Sequence, residues 1–160
     1  MRIHHLSETH HQVIVASILE RDGRFLLIEE PVNGTLKLNQ PAGRLEVGET
    51  LLQGAIRETR EESGYTFIPS HIVGVYDYFH VPTGVLFLRV AYTGAVVAMD
   101  GVPCPSDPHI HAVHWLTYEE LAQSRDRHRS PFVMRCVEDH LAGKAYPLDL
   151  ITHFPASPVF

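Results

Sequence analysis

One segment constrains the fold more than any other, because both of its ends are written in the chain. Thr50 is followed three residues later by Gln53, a capping-box pattern that opens a helix. Gly64 follows Ser63 and closes it. At about 100° per residue, Leu52, Ala55, Ile56 and Thr59 fall on one face, and Glu58, Glu61 and Glu62 fall on another. The apolar face needs a layer to cover it, and the flanking sequence supplies strands. Residues 12–19 read as a buried strand, Asp22-Gly23 as a tight turn and 24–29 as the returning strand. After a turn at Asn33-Gly34, 36–40 is a short strand stopped by Pro41. Beyond the helix come strands at 72–80 and 85–92, joined by the turn Pro82-Thr83-Gly84, then a loop at 101–108 and a strand at 110–116. Thr117 with Glu120 opens a short helix to about Ser124. Ser130-Pro131 sets N-cap and first position of a last helix, with apolar Val133, Cys136, Val137 and Leu141 and a stop at Gly143. The tail from Tyr146, with Pro147, Pro155 and Pro158, reads as irregular. Strands before and after a central helix give an α/β class, a mixed sheet with helices on both faces, in a single domain over residues 1–160.

Composition removes several functions. Thirteen Lys and Arg against nineteen Asp and Glu leave a net charge of −6, which repels nucleic-acid backbones and anionic membranes but not a small phosphate whose charge a bound cation offsets. The most apolar stretch, 84–99, is broken by Arg89 and Thr93, short of the roughly 18 apolar residues of a membrane span. Cys104 and Cys136 form no metal or redox motif, and the start of the chain lacks the apolar core of a signal peptide, so a reducing cytoplasm is expected. The twelve histidines are scattered and read as surface or loop residues.

The acidic face needs an explanation. Glu58, Glu61 and Glu62 stand at i, i+3 and i+4, so their side chains converge and repel. Pairing with Arg57 and Arg60 on a solvated face is one answer. A hard divalent cation is the other, since Mg2+ takes oxygen ligands and completes its shell with water and substrate phosphates. Three neighbours favour the cation: Gly43 after Pro41-Ala42, which permits close backbone approach; Glu49 just ahead of the helix; and Gly64, which stops it directly after the charged turn.

Gly43, Glu49 and the run Arg57-Glu58-Thr59-Arg60-Glu61-Glu62-Ser63-Gly64-Tyr65 resemble the box that defines the Nudix hydrolases, G-x5-E-x7-R-E-U-x-E-E-x-G-U with U bulky and apolar. Every fixed Gly, Glu and Arg is present; Thr59 and Tyr65 depart from the pattern at the two U positions, where core-facing side chains are expected. Asn39-Gln40-Pro41-Ala42-Gly43, Arg129-Ser130-Pro131 and Tyr146-Pro147-Leu148 resemble the NudJ-type phosphatases within that family.

The resemblance implies a Nudix-type α/β/α sandwich and Mg2+-dependent hydrolysis of phosphoanhydrides, with Mn2+ as a possible substitute. It implies metal ligation by Glu61 and Glu62, Glu58 as ligand or base, a backbone carbonyl from Ala42 or Gly43, Glu49 as a further ligand or support, and Arg57 orienting the glutamates. It further implies release of phosphate from nucleoside tri- and diphosphates and from hydroxymethylpyrimidine pyrophosphate. The alternative is cleavage of another X-linked nucleoside diphosphate: ADP-ribose, a dinucleoside polyphosphate or capped RNA. A binding module without catalysis is the competing class, and the intact glutamates argue against it. An acid or base outside the box is expected among Asp77, Asp107 and Glu119. Candidates for substrate contact are Arg44 and Arg89 for phosphate, Asn39 and Gln40 for base or phosphate, and Tyr78 and Phe79 for stacking, with core or strand-end packing as the ordinary reading of each aromatic and amide. Trp115 reads as core. The expected partner is a small phosphorylated substrate, with neither nucleic acid nor membrane, and the chain is expected to be a monomer or weak homodimer.

Overall fold

Alternation along β1 (His10–Ile18) divides the core in two. Val15 and Ala16 are adjacent and both fully buried, and they point to opposite sides. Val15 joins Leu19, Leu26, Ala55, Ile72 and Val90. Ala16 joins Ile18, Leu27, Val73, Val133 and Val137. A strand buried on both faces requires a layer on each. Helix α1 (Leu51–Ser63) covers the first side through Leu51, Leu52, Ala55 and Ile56. Helices α2 (Tyr118–Gln123) and α3 (Phe132–Leu141) cover the second.

These relations come from the computed structural model, which describes residues 10–98 and 103–156. Two sheets form the central layer. In one, β5 (Ala42–Arg44), β1, β7 (Val85–Val97) and β6 (Thr66–His80) lie in that order. It is mixed, because β1 runs parallel to β7 while the other pairs are antiparallel. In the other, β3 (Arg24–Val32) pairs antiparallel with β2 (Glu20–Arg21), β4 (Thr35–Asn39) and β8 (Ala112–Thr117). The sandwich expected from the sequence is therefore present, with its central layer split into a mixed and an antiparallel sheet.

Local signals held where they were self-contained. At the start of α1 the Gln53 N–H donates to Thr50 Oγ1 at 3.1 Å, and Gln53 Oε1 accepts from the Thr50 N–H at 2.8 Å. Gly64 closes the helix at φ 76°, in the left-handed region. Thr117 and Glu120 make the same reciprocal box. The last helix departs from expectation. Pro131 occupies the N-cap without a side-chain bond, and Ser130 supplies only its carbonyl, to the Val133 N–H at 3.3 Å. Leu141, which continues the apolar spacing of Val133, Cys136 and Val137, is half exposed in the final turn. The strand expected at 72–80 begins at Thr66, because the chain carries its pairing through Pro69 to Gly74 with register irregularities at Ser70 and Val73. Tyr146 is not irregular: its N–H and C=O both bond Ile72 at 2.8 Å. Part of the expected loop 101–108 lies outside the described residues. Cys104 and Cys136 are free, and among the described residues no helix is long and apolar enough to cross a membrane.

Candidate active site

Strand β5 is the short edge on which the site is built. It lies antiparallel to β1, with Gly43 opposite Val15 and Ala42 opposite Ala16. Flanking bonds from the Ser17 N–H to the Pro41 carbonyl (3.1 Å) and the Leu45 N–H to the Val13 carbonyl (3.0 Å) zip it down. The C-terminal half of α1 crosses this edge. Thr59 fixes it there: its hydroxyl donates to the Ala55 carbonyl at 2.7 Å, which leaves Ser17 as donor in the 2.7 Å bond between the two hydroxyls. Gly43 makes room for Glu58. A Cβ at this position would stand 2.0 Å from Glu58 Oε1, so any side chain would displace the carboxylate.

Arg57 gathers the acids. Its Nε and Nη2 grip both oxygens of Glu49 at 3.0 and 2.7 Å. Its Nη1 donates to Glu58 Oε1 at 2.7 Å and Glu61 Oε2 at 3.2 Å, and Nη2 also reaches the Arg44 carbonyl at 3.1 Å. The Arg57 bonds hold the Glu49 carboxyl below the usual range, and the acids in turn raise the guanidinium. Glu58 is pushed up: burial outweighs its bond to Arg57, and the charges of Glu61 and Glu49 add to the effect.

Glu62 has no such cation among the described residues. It is 6% exposed and accepts the Ala42 N–H at 2.8 Å. Burial pushes its carboxyl up to about 9 against that bond, and the charges of Glu58, Glu30 and Asp107 push the same way. Sequence reasoning missed Glu30. Asp107 is brought in by the segment before β8, whose Ser106 and Asp107 N–H groups bond the Glu61 carbonyl at 2.8 and 3.0 Å. Among the described residues no three His, Cys, Asp or Glu side chains already stand in a ligating cluster, since Glu58 and Glu61 are turned onto Arg57. The donor set nonetheless fits a hard divalent cation: oxygen-only, surplus in negative charge and partly desolvated around Glu62.

A cleft of about 380 Å3 opens beside this edge. Ala42 and Gly43 line it, and the same two residues touch Glu62 and Glu58. Its other walls include Asn39, Arg44, Tyr78, Phe87, Arg89, Arg129 and Phe132. Arg89 is 2% exposed and has no carboxylate partner among the described residues. Its Nη2 donates to Gln40 Oε1 at 2.8 Å and Nη1 to Asn39 Oδ1 at 3.4 Å, its Nε is buried with no partner among the described residues, and the Phe132 ring centroid lies 5.4 Å from the guanidinium carbon. Burial lowers its pKa.

Residues 8–136 match the NUDIX domain family. The chain belongs to the Nudix hydrolases. It is 35% identical over 145 residues to the phosphatase NudJ of Escherichia coli K12, which covers 89% of this chain and 91% of that protein, and NudJ of Shigella flexneri is equally similar. A NUDIX hydrolase from Nitrosomonas europaea superposes with a TM-score of 0.86 at 39% identity, over 91% of this chain and 99% of that one. A MutT protein from Methanosarcina mazei shares the fold at a TM-score of 0.69 and 21% identity, over 86% and 98% of the two chains.

The two departures from the Nudix box are packing residues. Thr59 is fully buried, and Tyr65 packs edge-on to Trp115, whose Nε1 donates to the Tyr65 hydroxyl at 3.1 Å. Trp115 is thus packed as expected. Of the expected substrate contacts, Asn39, Arg44, Tyr78 and Arg89 line the cleft. Phe79 does not: it is 50% exposed on the opposite face of β6, because successive strand residues alternate. Gln40 is also withdrawn, fully buried with its amide used between Arg89 and the Val133 carbonyl (2.7 Å), so it reaches the cleft only by orienting Arg89. Of the three acids outside the box, Asp107 stands where its charge acts on Glu62, while Asp77 and Glu119 are exposed.

Proposed function

We infer that this Nudix hydrolase is a phosphatase that uses Mg2+, or Mn2+ in its place, and releases orthophosphate from nucleoside tri- and diphosphates and from hydroxymethylpyrimidine pyrophosphate. The observation that carries the reading is the shared edge: Ala42 and Gly43 hold Glu62 and Glu58 on one side and line the cleft on the other. The similarity to NudJ over nearly the whole chain supports the phosphatase outcome.

Glu58, Glu61 and Glu62 would hold the cation, with Glu49 and the Ala42 backbone beside them. When bound, the cation offsets phosphate charge and acidifies a water. Arg57 keeps Glu58 and Glu61 together on one nitrogen, so their carboxylates need only turn to reach a common point. Glu58, against Gly43 at the cleft edge, is the base candidate within the box, and Asp107 the one outside it. Tyr78 offers a stacking face. Arg44, which has no ion pair among the described residues, offers a cation to phosphate. Arg89 and Asn39 offer hydrogen-bond donors: the oxygens of Asn39 and Gln40 are spent on Arg89, which leaves the cleft rich in donors toward an acceptor-bearing substrate.

Product analysis with Mg2+ tests this. A nucleoside triphosphate should yield orthophosphate and no pyrophosphate, and hydroxymethylpyrimidine pyrophosphate should yield its monophosphate. Pyrophosphate from the triphosphate, or faster cleavage of ADP-ribose, a dinucleoside polyphosphate or capped RNA, would replace the reading with the pyrophosphohydrolase alternative.

A further inference from the structure

Three arginines line the cleft, and their surroundings differ. Arg89 is buried and committed to two amide oxygens. Arg44 is exposed on β5. Arg129 is exposed, with 45% of its side chain open to solvent, but unlike Arg44 it is paired: its Nη1 meets Glu30 Oε1. Its backbone is pinned, because the Arg129 N–H donates to the Leu38 carbonyl at 2.9 Å and the adjacent His128 bridges Leu38. Glu30 is only 14% exposed, and its charge is one of those crowding Glu62. Arg129 is therefore anchored to an acid that belongs to the metal-site field, while it stands in the wall of the substrate cleft. It thus stands at the boundary between them, held by an ion pair that Arg44 lacks among the described residues. A guanidinium carries five N–H donors, and no hydrogen bond from the Arg129 side chain occupies the rest among the described residues.

We propose that Arg129 is the specificity residue that reads the free terminal phosphate of the substrate, with Glu30 as its positioning partner. A terminal phosphate attached through a single bridge presents three non-bridging oxygens and nearly two charges at neutral pH, whereas a phosphate bridged on both sides presents two oxygens and one charge. A fixed, half-exposed guanidinium fork beside the acids discriminates between them through paired charge-assisted bonds. This inference rests on the phosphatase reading above and gives it a cause: Arg129 favours substrates whose far end is unesterified phosphate.

The test uses the full chain with Mg2+ and measures binding of α,β-methylene-ADP, which has a free terminal phosphonate, and of ADP-ribose, which has none. Wild type should prefer α,β-methylene-ADP by about 10- to 100-fold. Arg129→Ala should weaken that ligand alone and bring the two within about threefold. Arg129→Lys, which keeps charge without the fork, should fall between, and thermal unfolding checks that each variant is folded. Equal weakening of both ligands, or a preference that survives in Arg129→Ala, overturns the role of Arg129 while leaving the phosphatase reading intact. If wild type instead hydrolyses ADP-ribose faster than ADP, the phosphatase reading fails and this inference fails with it.

Discussion

Glu62→Gln and Glu61→Gln should each lower kcat by about 10²- to 10⁴-fold without unfolding the protein. The amide keeps the shape of the carboxylate and removes its charge. In Glu62→Gln the side-chain oxygen can still accept the Ala42 N–H, so the contact between α1 and β5 survives. What is lost is the charge that a divalent cation needs. The Glu61 side chain is half exposed, and among the described residues its carboxylate bonds only Arg57, so Glu61→Gln leaves the backbone bonds to Ser106 and Asp107 in place. Steady-state kinetics on a nucleoside diphosphate, with circular dichroism as the fold control, decides the matter. Near-normal turnover in both variants would remove the acids from the chemistry.

The second large effect is on stability in the absence of a divalent cation. Glu62 has a folded-state pKa of about 9 against 4.5 for an unperturbed glutamate, with burial as the main cause. Between those values the folded state binds more protons at this residue than the unfolded state does. The contribution of Glu62 to unfolding free energy must then fall as pH rises across that window, by up to about 1.4 kcal/mol per pH unit. In EDTA, Glu62→Gln should lack this slope. It should match wild type near pH 5 and exceed it at pH 8 by a few kcal/mol, a rise in Tm of roughly 4 °C or more for a chain of this size. Glu58, shifted in the same direction, and Glu49, shifted in the opposite one, remain in both proteins, so the difference reports Glu62 together with its coupling to Glu58. Adding Mg2+ should stabilise wild type and leave the variant largely unchanged. Parallel pH profiles in EDTA would show that Glu62 is adequately solvated or paired.

What the sequence made legible follows the range of the interactions. Helix α1 was readable end to end, because Thr50, Gln53 and Gly64 act within one turn of the residues they cap. The convergence of Glu58, Glu61 and Glu62 needed only helical spacing. The role of Gly43 was half readable: close approach was expected, but its partner, Glu58, depends on how α1 crosses β5. Glu30 was invisible. Nothing around it in the chain marks it as functional, and it reaches the site through the packing of β3 and its pairing with Arg129, 99 positions later. Tyr78 and Phe79 could not be separated without the phase of β6, which register irregularities upstream obscure. Strand β5 is three residues long, too short to show any period, and exists because β1 offers it an edge.

If the acids of α1 hold a divalent ion which in turn holds the polyphosphate, ligand binding and metal must be coupled, and the coupling must run through Glu62. Calorimetric titration of α,β-methylene-ADP into the metal-free protein, with and without Mg2+, measures this directly. Mg2+ should tighten binding by about tenfold or more in wild type and by far less in Glu62→Gln. Equal affinity with and without Mg2+ in wild type, or coupling that persists undiminished in the variant, would contradict it.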